Sequence, residues 1–312
     1  MSSRSVRVGV MLGFLVCVFA STQSHAGVWG QEKELWASDG QSGDYFGNRL
    51  ELDSTTLLVG SPLADAAYIY EKDAGGTDNW GEVVKLTASD GEDGDWFGVD
   101  VSIDGDTAVA GAFFGSGTGA GDGAAYIFHR NEGGTDNWGE VKKLTRSGTG
   151  SLNDYFGIRV TNAGDLVAIG AQGVDDFGTD VGAVYLFSRD EGGADNWGEI
   201  AVLSSSDGTT EFGKNISLDG DTLVVGAKSK AYVFQKDFGG TDNWGEVAIL
   251  SGPEAFYGSY VAIEADTVMV GAEQRDGSGP GAVYVYDRNL GGTDAWGELK
   301  KFNDPLNRWF LV

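Results

Sequence analysis

The chain has 312 residues, 51 of them Gly, and 47 acidic residues against 21 basic ones give a formal net charge of −26. That charge repels nucleic acid and anionic lipid and suits cations or basic partners. So much Gly argues against a helical architecture, since each interior Gly costs about 1 kcal/mol relative to Ala, while 41% hydrophobic residues supply a core and argue against disorder.

Residues 1–26 read as a cleavable secretory signal peptide. Arg4 and Arg7 form a positive start, Val8 to Ala20 an apolar run, and Ser24-His25-Ala26 a small-residue cleavage site. The run falls short of the roughly 20 residues that span a bilayer. The expectation is a secreted or cell-surface protein whose mature chain has no membrane span. Cleavage removes Cys17, the only cysteine, and with it any disulfide, thiol nucleophile or thiolate metal site.

Residues 27–312 read as one domain built from a repeat. Trp-Gly pairs stand at Trp29, Trp80, Trp138, Trp197, Trp244 and Trp296, separated by 51, 58, 59, 47 and 52 residues. Each complete repeat holds four strand-like runs, A to D. In the second repeat, strand A is Phe97 to Ile103, with Val99, Val101 and Ile103 alternating as in a half-buried strand. An Asp104-Gly105 turn leads to strand B, Thr107 to Ala112, which is nearly all small and apolar. A Gly-rich loop leads to strand C, Ala124 to Arg130, and a Gly-Gly-Thr-Asp-Asn loop to strand D, Trp138 to Thr145. Four antiparallel strands per 50-odd residues is the size of a propeller blade. The predicted fold class is therefore an all-β β-propeller of four-stranded antiparallel blades. It has five complete repeats plus partial terminal strands, one at Trp29–Trp36 and one at Trp309-Phe310.

Strand A opens at Phe46-Gly47, Phe97-Gly98, Phe156-Gly157, Phe212-Gly213 and Tyr257-Gly258. Strand B ends at Gly60-Ser61, Gly111-Ala112, Gly170-Ala171, Gly226-Ala227 and Gly271-Ala272. These pairs, in register, resemble the FG-GAP repeat family, which includes the propeller of integrin α chains. The resemblance spans about residues 29–302 and implies a propeller that binds ligands or mediates adhesion outside the cell. Integrin-type propellers hold Ca2+ in Asp-rich A–B loops. Here those loops are tight turns such as Asp219-Gly220-Asp221, so that site does not carry over.

Alternating strand direction puts the A–B and C–D turns on one face, and the B–C and D–A loops on the other. The first face is nearly uniform, which fits a structural role for its Asp and Asn, and the Trp residues are expected to pack between blades. The second face varies, and loops on a rigid scaffold carry function. Tyr45, Trp96 and Tyr155, each between an Asp and the Phe-Gly pair, are candidate ligand-binding residues, with Asp175, Asp176 and Asp180 in a neighbouring B–C loop. Aromatics beside carboxylates suit sugars or cationic side chains. The D–A loop residues Asp90, Glu92, Asp93 and Asp95 are the candidate Ca2+ site, since unpaired carboxylates repel one another without a cation.

Catalytic motifs are absent. His129, the only histidine after cleavage, falls in a C strand where the third repeat has Ser188. No Gly-x-Ser-x-Gly or Walker-type pattern occurs, and carboxylate pairs arise by chance among 47 acids. The expected function is a non-catalytic extracellular binding or adhesion module for a protein or glycan. The alternatives are a structural surface-assembly protein and a propeller glycosidase or lyase, the last signalled by a carboxylate pair near the axis unmatched in other blades.

Overall fold

The structure, a computed structural model, describes residues 7–11, 15–19, 33–117, 121–273 and 281–303. The first sheet joins β1 (Arg7–Met11), β2 (Leu15–Phe19) and β3 (Lys33–Leu35). Its β1 and β2 lie within the expected leader, so this sheet is that of the uncleaved chain. Five four-stranded antiparallel sheets follow, one per repeat unit. Unit 1 is β4 (Leu50–Asp53), β5 (Thr56–Ser61), β6 (Ala66–Glu71) and β7 (Gly81–Leu86). Unit 2 is β8 (Val101–Asp104), β9 (Thr107–Ala112), β10 (Ala124–His129) and β11 (Gly139–Leu144). Unit 3 is β12 (Arg159–Ala163), β13 (Leu166–Ala171), β14 (Ala183–Ser188) and β15 (Gly198–Leu203). Unit 4 is β16 (Asn215–Asp219), β17 (Thr222–Ala227), β18 (Lys230–Lys236) and β19 (Trp244–Ser251). Unit 5 is β20 (Tyr257–Glu264), β21 (Thr267–Ala272), β22 (Ala282–Asp287) and β23 (Gly297–Asn303).

Among the described residues the one helical element is a 3-10 turn, Pro62–Ala64, and no helix is long and apolar enough to cross a membrane. The innermost strands touch in the order β4, β8, β12, β16, β20, and residues from all five units line one axial cavity. The arrangement is propeller-like, with six separate sheets. Trp29 and Trp309-Phe310 lie outside the described residues.

In units 1 to 4 strand A is shorter than predicted, while in unit 5 it begins at Tyr257 as predicted. In unit 2 it begins at Val101, because Trp96 (φ 59°) and Gly98 (φ 83°) turn the chain in the left-handed region. The turn seats each Phe-Gly glycine against the preceding unit. A Cβ on Gly60 would stand 2.1 Å from the Gly98 carbonyl oxygen, one on Gly111 1.9 Å from that of Gly157, and one on Gly170 2.3 Å from that of Gly213. Glycine meets glycine at every inter-unit contact because no side chain fits there. Gly271, the matching position in unit 5, has no such neighbouring backbone.

The core is divided among these contacts. Leu58, Ala67, Ile69 and Leu86 of unit 1 pack into one buried cluster with Phe97, Tyr126, Phe128 and Trp138 of unit 2. The same four positions of units 2, 3 and 4 are buried against the following unit, and each fully buried Leu contributes about 1.5–3 kcal/mol. Trp80, Trp138, Trp197, Trp244 and Trp296 are all buried in these clusters, as expected of inter-unit packing. In unit 5 the four positions are Met269, Val283, Val285 and Phe302. Here Met269 is 47% and Phe302 51% exposed, and both valines are only partly buried.

A second bonding system runs around the axis. Side chains of one innermost strand accept hydrogen bonds from backbone N–H groups of the next. Glu51 and Asp53 accept from Ile103 and Gly105 (3.0 and 2.7 Å). Asp100, Ser102 and Asp104 accept from Val160, Asn162 and Gly164 (2.9, 3.0 and 2.5 Å). Asn215, Ser217 and Asp219 accept from Val261, Ile263 and Ala265 (2.9, 3.1 and 2.5 Å).

Candidate functional site

The varied face carries an aromatic cluster between units 2 and 3. Trp96, in the loop before β8, packs edge-on against Phe113 (ring centroids 5.3 Å apart) and Phe114 (5.8 Å), which open the loop after β9. Those two rings lie 4.1 Å apart. Tyr155, in the loop before β12, completes the group at 5.6 Å from Phe113 and 6.2 Å from Phe114. Such edge-to-face pairs are worth about 0.5–1.5 kcal/mol beyond their buried area. Phe113 is buried, whereas Trp96, Phe114 and Tyr155 keep part of their surface open. Leu152 (65% exposed), in the same loop as Tyr155, and Phe177 (50% exposed), in the loop after β13, add open apolar surface in unit 3.

The backbone presents these rings deliberately. Tyr45, Trp96 and Tyr155 have φ of 57°, 59° and 57°, a left-handed conformation costing about 1–2 kcal/mol in a side-chain-bearing residue. Asn48, Val99 and Ile158 donate their N–H groups back to the carbonyls of Tyr45, Trp96 and Tyr155 (3.0, 3.1 and 3.1 Å), closing each turn. Trp96 and Tyr155 are thus brought together. Tyr45 is not: it is 50% exposed in unit 1, with no ring partner among the described residues.

Most of the carboxylates beside these aromatics are engaged by loop amides or by Arg146. Asp44, Asp95 and Asp154 accept from the N–H groups of Gln41, Glu92 and Ser151 (2.6, 2.9 and 2.7 Å). Asp154 is buried and pairs with the Arg146 guanidinium at 2.6 Å, and Asp176 pairs with the same guanidinium. Asp175 accepts from the Asp180 N–H at 2.7 Å, which closes that loop and leaves Asp180 exposed.

Nor are the candidate Ca2+ ligands free to converge. Asp90 accepts from the Tyr126 hydroxyl (2.9 Å) and from Lys143 (2.7 Å), whose ammonium holds its carboxyl below the usual range. Burial raises the Asp95 carboxyl. Glu92 and Asp93 point to solvent, and no group of three or more metal-ligating side chains forms among the described residues. The mutual repulsion that motivated a cation is relieved at Asp90 by a device that recurs. Asp39 takes Tyr68 and Lys85 (2.7 and 2.6 Å), Asp207 takes Tyr232 (2.6 Å) and Lys230, and Glu254 takes Tyr284 and Lys301 (2.6 Å). Unit 3 inverts it, with Arg146 facing Tyr185.

The FG-GAP repeat model matches residues 29–76, 80–128, 138–187, 197–250 and 244–286. The chain belongs to the FG-GAP repeat family. Its Phe-Gly and Gly-Ala glycines are the paired residues at the inter-unit contacts described above. No curated protein matches the sequence. Among solved structures, the FG-GAP chain resembles a functionally unknown protein from Desulfotomaculum acetoxidans DSM 771, at 14% identity and a TM-score of 0.59, over 94% of this chain and 78% of that one. It also resembles Kluyveromyces lactis Hsv2p, at 12% identity and a TM-score of 0.53, over 94% and 81% of the two chains. These likenesses show the fold alone.

Sequence reasoning missed Phe113 and Phe114, although the signal was there: the loop after strand B opens with Pro62-Leu63, Gln172-Gly173 and Lys228-Ser229 in other FG-GAP units. It also missed the axial groups Arg49, Glu51, Asp100 and Arg159, which line a cavity of about 300 Å3. Burial pushes the Glu51 carboxyl up to about 7 and also raises Asp100.

Proposed function

We propose that this protein is a non-catalytic binding module, exported through its N-terminal leader, which holds an extracellular glycan or protein on the aromatic platform of Trp96, Phe114 and Tyr155. The observation carrying this reading is the joining of rings from three loops and two repeat units into one partly open cluster on the varied face. A rigid apolar platform with few free charges suits the faces of sugar rings or apolar side chains. The test is a glycan and protein array probed with the labelled chain, followed by Trp96→Ala and Tyr155→Ala. Lost binding with unchanged melting supports the platform. Retained binding in both variants removes it.

A propeller hydrolase is the second reading. Glu51 and Asp100 supply a carboxylate pair near the axis that no other unit matches. Against it, each accepts a backbone bond from the next strand, as Ser217 and Asn215 do in unit 4. Turnover of chromogenic glycosides that is abolished by Glu51→Gln would favour the hydrolase.

A further inference from the structure

The open rings of the platform are set at steep angles to one another. Trp96 stands at 89° to Phe114 and Tyr155 at 70° to it. Trp96 and Tyr155 make no ring contact with each other among the described residues, so they form two separate walls beside Phe114. The backbone holds these walls in place. The Phe114 N–H donates to the Asp95 carbonyl (3.2 Å), which ties the loop after β9 to the Trp96 loop. The Gly173 N–H donates to the Asp154 carbonyl (3.2 Å), and a Cβ on Gly173 would stand 3.1 Å from the Tyr155 ring, so the loop after β13 lies against the second wall.

The free charge around the rings has one sign. Residues 87–96, 113–123, 145–155 and 172–182 carry a single basic side chain, Arg146, which is buried and paired with Asp154 and Asp176. Glu92 and Asp93 in the Trp96 loop, and Asp175 and Asp180 in the loop after β13, are exposed and form no ion pair among the described residues. Their field attracts cations and repels carboxylates, sulfates and phosphates. Directional partners are scarce at the rings themselves. Asp95 and Asp154 already accept from loop amides, and the Tyr155 hydroxyl donates to Asn153 (3.2 Å). A primary ammonium or a guanidinium brings N–H donors that need acceptors. A quaternary ammonium brings none, and is held by aromatic faces through their quadrupoles.

We propose, resting on the platform as the binding surface, that the group its partner presents there is a quaternary ammonium of the choline class, with Trp96, Phe114 and Tyr155 around its methyl groups.

The experiment is a ligand-observed NMR titration of the full chain with choline. The controls are 3,3-dimethylbutanol, its uncharged carbon isostere, ethanolamine, its primary ammonium counterpart, and phosphocholine, which adds an anion. Choline binds saturably, and each control binds several-fold more weakly. Trp96→Leu keeps apolar bulk but removes an aromatic face, and weakens choline about fivefold or more. Tyr155→Leu does the same, and serves alone if Trp96→Leu does not fold, while Tyr155→Phe keeps the ring and the affinity. Trp36→Ala, which removes an exposed Trp of unit 1, leaves binding unchanged. Failure of choline to saturate, equal affinity for 3,3-dimethylbutanol, or unchanged choline affinity in both Leu variants overturns the proposal. If array binding is nonetheless lost in Trp96→Ala and Tyr155→Ala, the platform stands and only the quaternary ammonium falls. Array binding retained in both Ala variants removes the platform itself.

Discussion

Arg146 donates from Nε to the Tyr185 hydroxyl across 2.9 Å, where units 1, 2, 4 and 5 set a carboxylate against the same tyrosine. The inversion recruits Asp154 and Asp176 as counter-charges, and so fixes both loops beside the Tyr155 end of the platform. Removing Arg146 strands the buried Asp154. We expect Arg146→Ala to destabilise by about 3–5 kcal/mol. Lys143→Ala, which breaks the more exposed Asp90 pair, should cost no more than about 1 kcal/mol. Urea unfolding of the two variants checks the difference.

Unit 5 gives an internal comparison of burial. Leu250 and Phe302 occupy the same position on successive units, paired with Ala231 and Val283, but Leu250 is 5% exposed and Phe302 51%. Leu250→Ala should cost about 2–5 kcal/mol, and Phe302→Ala less than about 1 kcal/mol. If Phe302→Ala proves as costly as Leu250→Ala, then a further segment or a second copy covers this face in solution. Particle size by light scattering separates those two.

Glu51 sets a pH dependence. Its folded pKa of about 7 lies above the ordinary 4.5, so the folded state binds more protons between these values. Its contribution to stability is full below about pH 4.5 and is lost as pH rises to 7. That loss approaches about 3 kcal/mol at 1.36 kcal/mol per pH unit. Glu51→Gln keeps an acceptor for the Ile103 N–H and removes the charge. Thermal melting should show the variant gaining on the wild type from pH 5 to pH 8, and no gain there would remove Glu51 as the cause.

Ala265 (φ 52°) occupies a tight-turn position that Gly105, Gly164 and Gly220 fill elsewhere at φ of 54–58°. Its side chain is exposed, so little packing is lost on removing it. Ala265→Gly should stabilise by about 1 kcal/mol by relieving the left-handed strain, read as a higher urea midpoint with an unchanged slope.

The repeat, the five four-stranded units and the buried Trp residues were legible because they rest on local signals: the Trp spacing, alternation, and Gly at fixed offsets. Less legible was what depends on register between distant segments. Asp90 reads as a free loop acid until Tyr126 and Lys143, 36 and 53 residues away, are seen to close on it. Phe97 to Asp100 alternates like a strand, but the chain turns there because Gly98 must meet the preceding backbone. Of the proposed ligand-binding residues, Trp96 and Tyr155 share a cluster. Asp175 serves its own loop, Asp176 pairs with Arg146 of the neighbouring loop, and Tyr45 stands apart.

The side-chain-to-backbone bonds around the axis skip one junction. They join β4 to β8, β8 to β12 and β16 to β20, but among the described residues none runs from β12 to β16, where Arg159 and Ala163 bring no acceptor and the Thr161 hydroxyl makes no such bond. Arrays of this kind open by nearest-neighbour coupling. We expect this junction to open first, dividing units 1–3 from units 4–5 as two cooperative blocks of one continuous chain. Amide exchange would then record two opening free energies, with the boundary between them at the junction of β12 and β16.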